Sequence, residues 1–283
     1  MAIKLEKVGY TYAPNSPFSY TALKDINTNI PEGKITAIVG ATGSGKSTMV
    51  QHFNGLLTPT EGTITIYDHI IKADEKPKGL KKLRQKVGLV FQFPEMQLFD
   101  DTIYKDVSFG PKNFGMREPE IKALVEEALR LVGIERELWD RSPLNLSGGQ
   151  KRRVAIAGVL ATNPDLIVLD EPTAGLDPQG SKQMMALFQN LNKEHDKTIV
   201  MVTHDMEHVL DYCEHVIVLD HGEIIFEGNT KSFFEASDLL DSLDIVKPLI
   251  LRLNDTLRRK GFKIPVTTDL DTLTVLLAKE VQK

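Results

Sequence analysis

Short apolar segments alternate with amphipathic and polar segments along the chain, a pattern typical of α/β proteins. The first thirty residues contain two stretches of alternating apolar and polar positions, IKLEKVGYTY and ALKDINTNI, joined by the turn-rich APNSPFSYT. This alternation predicts two strands that pair in an antiparallel way. Further strands are predicted in KITAIVG, TITIYD, VGLVFQ, DLIVLDE and TIVMVTHD, followed by the hairpin HVIVLDHGEIIFEG, which turns at His221-Gly222.

Three segments depart from this strand pattern. Residues 118–141 mix charged and apolar residues at helical spacing, which predicts a largely helical insertion. The basic segment KADEKPKGLKKLRQK is typical of a loop and a solvated helix. From about residue 229 the pattern changes to short helical pieces and one weak strand in IPVTTDLDTLTVLLAK. We therefore predict a main domain over residues 1–228 and a small α+β domain over residues 229–283.

Composition narrows the class of protein. Of the 283 residues, 41% are hydrophobic and 26% charged, which is ordinary for a globular protein. The net charge of −5 gives no general reason to expect a nucleic-acid partner. Cys213 is the single cysteine, so the chain cannot form an internal disulfide, which fits a reducing cytoplasm. We expect Cys213 to be a small buried apolar residue. No apolar run approaches the roughly 20 residues that span a bilayer, so any membrane attachment is expected to depend on another chain.

The segment GATGSGKST, residues 40–48, places three glycines between a predicted strand and a predicted helix. Its spacing, Gly-x-x-x-x-Gly-Lys-Ser, matches the loop that binds phosphate through inward-pointing backbone N–H groups. We expect Lys46 to contact the β- and γ-phosphates of ATP and the Ser47 hydroxyl to bind Mg²⁺. The predicted nucleotide-binding residues of this loop are Gly40, Ala41, Thr42, Gly43, Ser44, Gly45, Lys46, Ser47 and Thr48.

Polar residues at the ends of three other predicted strands are candidates for the chemistry. Asp170 suits a water-mediated Mg²⁺ ligand, and Glu171 beside it can polarise the attacking water. Such a pair is more often a solvated turn, but this one lies 124 residues after Lys46 and precedes PTAGLD. Gln92, at the end of VGLVFQ, is a candidate to complete the Mg²⁺ shell. His204 is a candidate to bind the γ-phosphate, although an isolated histidine more often has a structural role.

A second helix N-terminus suited to an anion begins at Ser147-Gly148-Gly149, in LSGGQKRRVAIAGVLA. One nucleotide does not obviously need two such sites in one chain. We therefore expect Ser147 and Gly149 to contact the γ-phosphate of an ATP that another subunit holds. This predicts a head-to-tail dimer that closes over two nucleotides.

With these motifs the sequence resembles the ATP-binding-cassette (ABC) ATPases over about residues 3–228. GATGSGKS resembles their Walker A loop, LSGGQ their signature, LIVLDE their Walker B strand and AGLD their D-loop, while Gln92 and His204 resemble the Q-loop and switch residues. The resemblance implies an ABC-type P-loop fold, with a mixed sheet, an antiparallel β subdomain and a helical subdomain at about residues 93–163. It also implies that Asp177 of the D-loop lies at the nucleotide and that Tyr12 stacks on adenine. Tyr10 is the competing aromatic.

A narrower resemblance is to the ATPases of energy-coupling-factor (ECF) transporters, which import vitamins and trace-metal ions. It rests on PNSPFSYTALKDIN, GATGSGKSTMVQHFNGLL, VFQFPEMQLFDDTIYKDVSFGPKNFG and RRVAIAGVLA. The family implies a pair of ATPase paralogues, a transmembrane coupling protein and a separate substrate-binding membrane subunit. This chain resembles the second paralogue, which implies a peripheral position on the cytoplasmic face of the cell membrane. The tail, residues 229–283, resembles the small C-terminal domain of that family.

The stretch FPEMQLFDDTIY after Gln92 is a candidate docking surface for the transmembrane protein. Its apolar residues are expected to provide adhesion, and the carboxylates of Glu95, Asp100 and Asp101 to accept arginines of a coupling helix. The alternative is a surface loop whose apolar residues, such as Met96, pack inward.

Other functions share part of this pattern. One is the ATPase of another ABC importer, served by an extracytoplasmic binding protein. Another is a soluble ABC ATPase of DNA repair or translation, but the sequence has neither the long coiled-coil insertion nor the two cassettes typical of those proteins. A P-loop kinase would need neither LSGGQ nor AGLD.

Overall fold

The structure is a computed structural model that describes residues 1–281. Its strands are β1 (Ile3–Tyr12), β2 (Tyr20–Ile30), β3 (Ile35–Val39), β4 (Glu61–Ile66), β5 (His69–Lys72), β6 (Val87–Val90), β7 (Leu166–Asp170), β8 (Thr198–Val202), β9 (His215–Asp220) and β10 (Glu223–Asn229). Its helices are α1 (Lys46–His52), α2 (Leu80–Lys86), α3 (Ile103–Phe114), α4 (Glu118–Leu131), α5 (Gly148–Leu160), α6 (Pro178–His195), α7 (Met206–Tyr212), α8 (Thr230–Glu235), α9 (Ser237–Ser242), α10 (Leu249–Arg259) and α11 (Leu270–Val281). The predicted mixed α/β class is confirmed.

The larger sheet has the strand order β10-β9-β3-β8-β7-β6, and all its pairs are parallel except β10 with β9. Every residue of β3, β7 and β8 is buried, as expected for a parallel sheet covered on both faces. Because the carboxyl ends of parallel strands meet at one edge, the loops that follow these three strands lie together. That edge carries the phosphate loop, Asp170-Glu171 and His204.

The smaller sheet is antiparallel, with the order β2-β1-β4-β5. It confirms the two strands predicted at the start of the chain and places Tyr12 directly opposite Tyr20. Strand β5, which follows β4 after a two-residue turn, was missing from the sequence-based prediction, because its four residues have only one buried position and show no clear alternation. That turn contains Tyr67 with φ 49°, an uncommon conformation for a tyrosine.

Helices α3, α4 and α5 lie between strands β6 and β7 in the sequence and share one apolar core. Val107, Val125 and Val154 contribute one buried residue from each helix. The helical insertion predicted at residues 118–141 is helical to Leu131 and continues in short 3₁₀ turns, where the indole N–H of Trp139 donates to the Ile134 carbonyl. Cys213 is also buried in this core, and burial raises the pKa of its thiol, as expected for an apolar role.

The C-terminal segment corrects one prediction, because residues 230–281 contain helices α8 to α11 and no strand. The strand predicted in IPVTTDLDTLTVLLAK does not form, so the described tail is α-helical rather than α+β. The buried Asn254 side chain binds both the N–H and the carbonyl of Thr267, at 3.1 and 2.9 Å, and thereby occupies groups that a strand would pair. Asp269 then accepts the N–H of Thr272 at 2.7 Å and begins helix α11.

No helix within residues 1–281 is both long enough and apolar enough to cross a membrane.

Candidate nucleotide-binding site

The loop after β3 has a shape that only glycine permits at two positions. Gly40 has φ 152°, and a Cβ atom there would lie 2.1 Å from the Leu219 carbonyl oxygen. Gly45 has φ 104°, and its Cβ would lie 2.6 Å from the Ala22 carbonyl oxygen. The two glycines therefore let the backbone pass against β9 and β2 while it turns into helix α1.

Lys46 lies across this loop. Its ammonium donates to the carbonyl oxygens of Gly40 and Ala41, at 2.9 and 2.8 Å. Burial lowers the pKa of Lys46, while the charges of Glu171 and Asp170 act in the opposite direction. The loop thus holds a positive charge at its centre, where the sequence predicts the terminal phosphates of ATP.

The three predicted Mg²⁺ ligands lie on different elements. Ser47 is in helix α1, Asp170 ends strand β7, and Gln92 follows strand β6. Asp170 is buried at the end of β7, beside the Ser47 side chain. Burial raises the pKa of Asp170, and the Glu171 charge adds to this, whereas Ser47 and Lys46 lower it. Gln92 follows β6, the strand paired with β7, and its side chain is exposed.

This donor set fits Mg²⁺. Mg²⁺ in nucleotide sites keeps several waters and takes only one or two carboxylates, together with phosphate oxygens. Asp170 and Ser47 supply one carboxylate and one hydroxyl side by side. The described residues contain no group of three or more His, Cys, Asp or Glu side chains able to hold a metal without such a nucleotide.

Glu171 and His204 form the most direct contact among the predicted catalytic residues. Oε2 of Glu171 lies 2.7 Å from Nδ1 of His204, with the glutamate side chain 19% exposed and the histidine 77% exposed. The backbone of Glu171 has φ 52°, and its N–H donates to the Val202 carbonyl at 3.0 Å. A non-glycine residue in this conformation is held by its surroundings, here by strand β8.

The two candidate adenine-stacking tyrosines differ in their surroundings. Tyr12 is exposed, and its hydroxyl lies 3.1 Å from the hydroxyl oxygen of Thr48, in the first turn of α1. Tyr10 packs instead against the buried ring of His52, with centroids 4.9 Å apart. Tyr20, which sequence reasoning missed, donates its hydroxyl to the Gly43 carbonyl at 3.3 Å. Its pairing with Tyr12 across the β1–β2 hairpin was the available signal.

Ser147 caps helix α5 through a complete capping box. Its hydroxyl accepts the N–H of Gln150 at 3.3 Å, and the Gln150 side chain accepts the N–H of Ser147 at 3.1 Å. Ser147, Gly148 and Gly149 are all exposed, and a Cβ atom on either glycine would have no neighbour within 4 Å. Packing inside this chain therefore does not require these glycines.

The comparisons with known proteins agree with this geometry. A family model described as ABC transporter matches residues 23–174. The energy-coupling factor transporter ATP-binding protein EcfA2 of Enterococcus faecalis is 50% identical over 272 residues, which cover 95% of this chain and 94% of the relative. The protein of the same name from Bacillus anthracis is 47% identical, covering 100% and 97%. The chain belongs to the ECF transporter ATP-binding protein family.

Solved structures of ABC ATPases share its fold. That of cbiO1 from Clostridium perfringens, part of the ABC transporter complex cbiONQ, has a TM-score of 0.74 and 42% identity and covers 90% of this chain and 98% of cbiO1. The dimeric, ADP- and phosphate-bound cassette MJ0796 has a TM-score of 0.71 and 36% identity, covering 81% and 98%. The predicted ABC ATPase fold is confirmed. This ECF ATPase is an ATP-hydrolysing subunit that energises an ECF-type importer.

In this ECF ATPase, Asp177 begins helix α6. Its carboxylate accepts the N–H of Gly180 at 2.6 Å, so the D-loop aspartate has a structural role as a helix cap. Its predicted contact with nucleotide stays a prediction.

The predicted docking surface of the ECF ATPase needs one correction. Glu95 is not free to bind a partner's arginine, because it forms a paired contact with Arg152 of its own chain. The apolar residues divide into two groups: Leu98 packs against the core, whereas Met96 and Phe99 are 84% and 63% exposed. Phe109 of α3 is exposed as well and contacts the Phe99 ring edge-on at 4.9 Å.

Proposed function

We propose that this ECF ATPase binds Mg·ATP between its own phosphate loop and the signature helix of a second, paralogous ATPase subunit. The observation that carries the proposal is the open N-terminus of α5. Ser147 is exposed there beside two glycines that no contact within the chain requires. Glycine at such a position lets a phosphate approach the backbone closely. The dimeric state of the MJ0796 cassette supports the same arrangement.

The residues at the sheet edge have distinct roles in hydrolysis. Ser47, Asp170 and Gln92 would hold Mg²⁺, which neutralises charge on the phosphate oxygens when it is bound. Lys46 neutralises further phosphate charge. Glu171 takes a proton from water as the water oxygen attacks the γ-phosphorus, and the bond from that phosphorus to the ADP oxygen breaks.

His204 completes this arrangement from the next strand. Its Nδ1 orients the Glu171 carboxylate, while its exposed ring leaves Nε2 free to hydrogen-bond a γ-phosphate oxygen. Tyr12, beside Thr48, provides the aromatic face for adenine, a contact worth about 1–3 kcal/mol for a stacked base. The phosphate end and the base end of ATP would thus both be fixed by this chain.

Attachment to the membrane is proposed to occur through the exposed apolar residues after Gln92. Phe93, Met96, Phe99 and Phe109 are all exposed. Exposed apolar side chains of this kind, with Phe99 and Phe109 in ring contact, suit a helix of a transmembrane coupling protein. The ATPase would then lie peripherally on the cytoplasmic face, and a separate membrane subunit would select the vitamin or trace-metal ion. The EcfA2 names of the relatives favour the role of second paralogue in the ATPase pair.

Isolation of the intact complex tests this assignment. The tagged chain is expressed with its neighbouring genes, purified in mild detergent and reconstituted into vesicles. We expect a second ATPase and two membrane proteins to copurify. We also expect ATP on the side of the vesicle membrane that carries the ATPases to drive transport of one small solute towards that side. Recovery of the chain alone or as a homodimer, without membrane proteins, would contradict the proposal.

A further inference from the structure

Arg152 is a buried arginine on helix α5, five residues after the signature serine. Only 3% of its surface is exposed to solvent, although arginine is among the residues least often buried. A guanidinium removed from water needs partners for its N–H groups, since an unpaired buried charge is strongly destabilising. The partners of Arg152 therefore show which parts of the molecule this side chain joins.

Two segments distant in sequence bind the guanidinium. Nε and Nη2 donate to Oε2 and Oε1 of Glu95, at 3.0 and 2.9 Å, in a two-pronged contact with one carboxylate. Nη1 donates to the Ala174 carbonyl at 2.6 Å. The guanidinium carbon also lies 5.6 Å from the centre of the Phe93 ring, within range of a cation–π contact.

Each partner adjoins a residue of the proposed ATP sites. Phe93 directly follows Gln92, and Glu95 lies in the 3₁₀ turn Pro94–Gln97 that comes next. Ala174 lies midway between Glu171 and Asp177, and its N–H donates to the Glu171 carbonyl at 3.1 Å. Arg152 itself belongs to the helix that Ser147 caps.

In the proposed function, Gln92 and Glu171 face the ATP of their own chain, whereas Ser147 faces that of the partner. We propose that Arg152 is a positioning residue that holds the Q-loop, the signature helix and the D-loop segment as one unit. Movement at one ATP site then changes the geometry of the other. This proposal rests on the shared sites of the proposed function and assigns their coupling to one side chain.

The contact requires arginine rather than a positive charge alone. The planar guanidinium directs two parallel N–H bonds to Glu95 and a third to Ala174, whereas a lysine ammonium is a point charge on a flexible stem. Partial burial raises the pKa of Glu95, but the hydrogen bonds and charge of Arg152 outweigh it and leave that pKa below its ordinary value. Glu95 is therefore held as the carboxylate that this geometry needs.

The main test compares Arg152→Lys with the unaltered complex. We expect kcat for ATP to fall at least 10-fold, while KM and the affinity for a fluorescent ATP analogue change less than 3-fold. The melting temperature should stay within a few degrees, because lysine keeps the charge beside Glu95. The control is Lys72→Met, which breaks the exposed pair with Glu75 at 3.0 Å and should leave all four quantities unchanged.

A second measurement separates positioning from a local structural role. Hydrolysis is blocked at one ATP site at a time by a Glu→Gln exchange of the catalytic glutamate, and single-turnover rates are measured at the other. Arg152→Lys in this chain should slow both sites at least 10-fold. Glu95→Gln should act on the same contact, so the double variant should be no slower than the worse single variant.

Three results would overturn the proposal. One is an unchanged kcat in Arg152→Lys, and another is slowing confined to a single ATP site. The third is a parallel loss of kcat, ATP affinity and melting temperature, which would make Arg152 only a residue of the core. Failure of the shared site itself is recognised separately, because Ser147→Arg would then leave hydrolysis of the partner's ATP unchanged.

Discussion

Nδ1 of His204 lies 2.7 Å from Oε2 of Glu171, and this contact joins the carboxyl ends of two adjacent strands. Asp170, the last residue of β7, is the register partner of Val202, the last residue of β8. The residues that follow the two strands therefore have to meet. The phosphate loop follows β3, the strand on the other side of β8, which places Lys46 and Ser47 at the same edge.

Glu171→Gln should abolish hydrolysis while ATP still binds. The amide keeps the shape of the side chain but cannot accept the proton of the attacking water, so we expect kcat to fall by about 100-fold or more. Phosphate release and binding of a fluorescent ATP analogue are measured in parallel. The control is Glu223→Gln, an exposed carboxylate on β10. Near-normal turnover in Glu171→Gln would show that another group is the base.

Lys46→Ala should weaken nucleotide binding itself. The change removes the positive charge held above the carbonyls of Gly40 and Ala41, where the terminal phosphates are expected. We expect the Kd for ATP to rise at least about 10-fold, because a charge-assisted phosphate contact contributes roughly 1.5–3 kcal/mol. Titration with labelled ATP, with Lys24→Ala as an exposed control, measures the change. Equal affinities in the two variants would exclude a phosphate at Lys46.

Ser147→Arg should impair hydrolysis of the ATP bound to the partner and leave hydrolysis of the ATP bound to its own chain unchanged. A bulky cation at the start of α5 removes the cap and opposes the positive end of the helix dipole. Mixed dimers that can hydrolyse only one of their two ATP molecules distinguish the sites. The shared-site geometry fails if the loss falls on the ATP of the mutated chain.

The double variant Met96→Lys, Phe99→Lys should release the ATPase from the membrane complex. Both side chains are exposed and apolar, so two ammonium groups there would oppose burial against a coupling helix. Copurification and uptake should be lost, with ATP affinity retained. Ile70→Lys, at an exposed position of strand β5, is the matched control and should change none of these properties. Normal copurification of the double variant would place the docking surface elsewhere.

His52 should make the fold sensitive to mild acid. Burial lowers the pKa of His52 from 6.5 to about 4, although its Nδ1 contact with the Thr48 carbonyl at 2.7 Å acts in the opposite direction. Between those pH values the unfolded state binds more protons than the folded state. Stability is therefore fully present above pH 6.5 and decreases as the pH falls towards 4, by roughly 3 kcal/mol in total.

His52→Phe should remove much of this acid dependence while keeping an aromatic ring against Tyr10. Denaturant unfolding between pH 4 and pH 7 measures the free energy of unfolding of both proteins. His221→Asn, a change of an exposed turn residue, should leave the original dependence in place. Identical pH slopes for His52→Phe and the unaltered protein would contradict the assignment.

The sequence by itself determined the parts of the site that consecutive residues build. In the phosphate loop and at the Ser147 cap, residue type and spacing within a few positions decide the backbone geometry, so the motif is readable without a fold. The strands predicted from apolar runs formed for a similar reason, since burial on both faces selects such runs. The family resemblance then supplied the remaining assignments.

Only the tertiary structure decided which distant groups became partners. Glu95 and Arg152 are 57 residues apart, and their pairing turned a predicted docking carboxylate into an internal one. Asn254 likewise occupied the backbone of Thr267, so a segment with strand-like alternation joined a helical tail. Such pairs depend on how whole elements pack, because a polar group removed from water binds whichever partner the fold brings near it, and no local pattern contains that information.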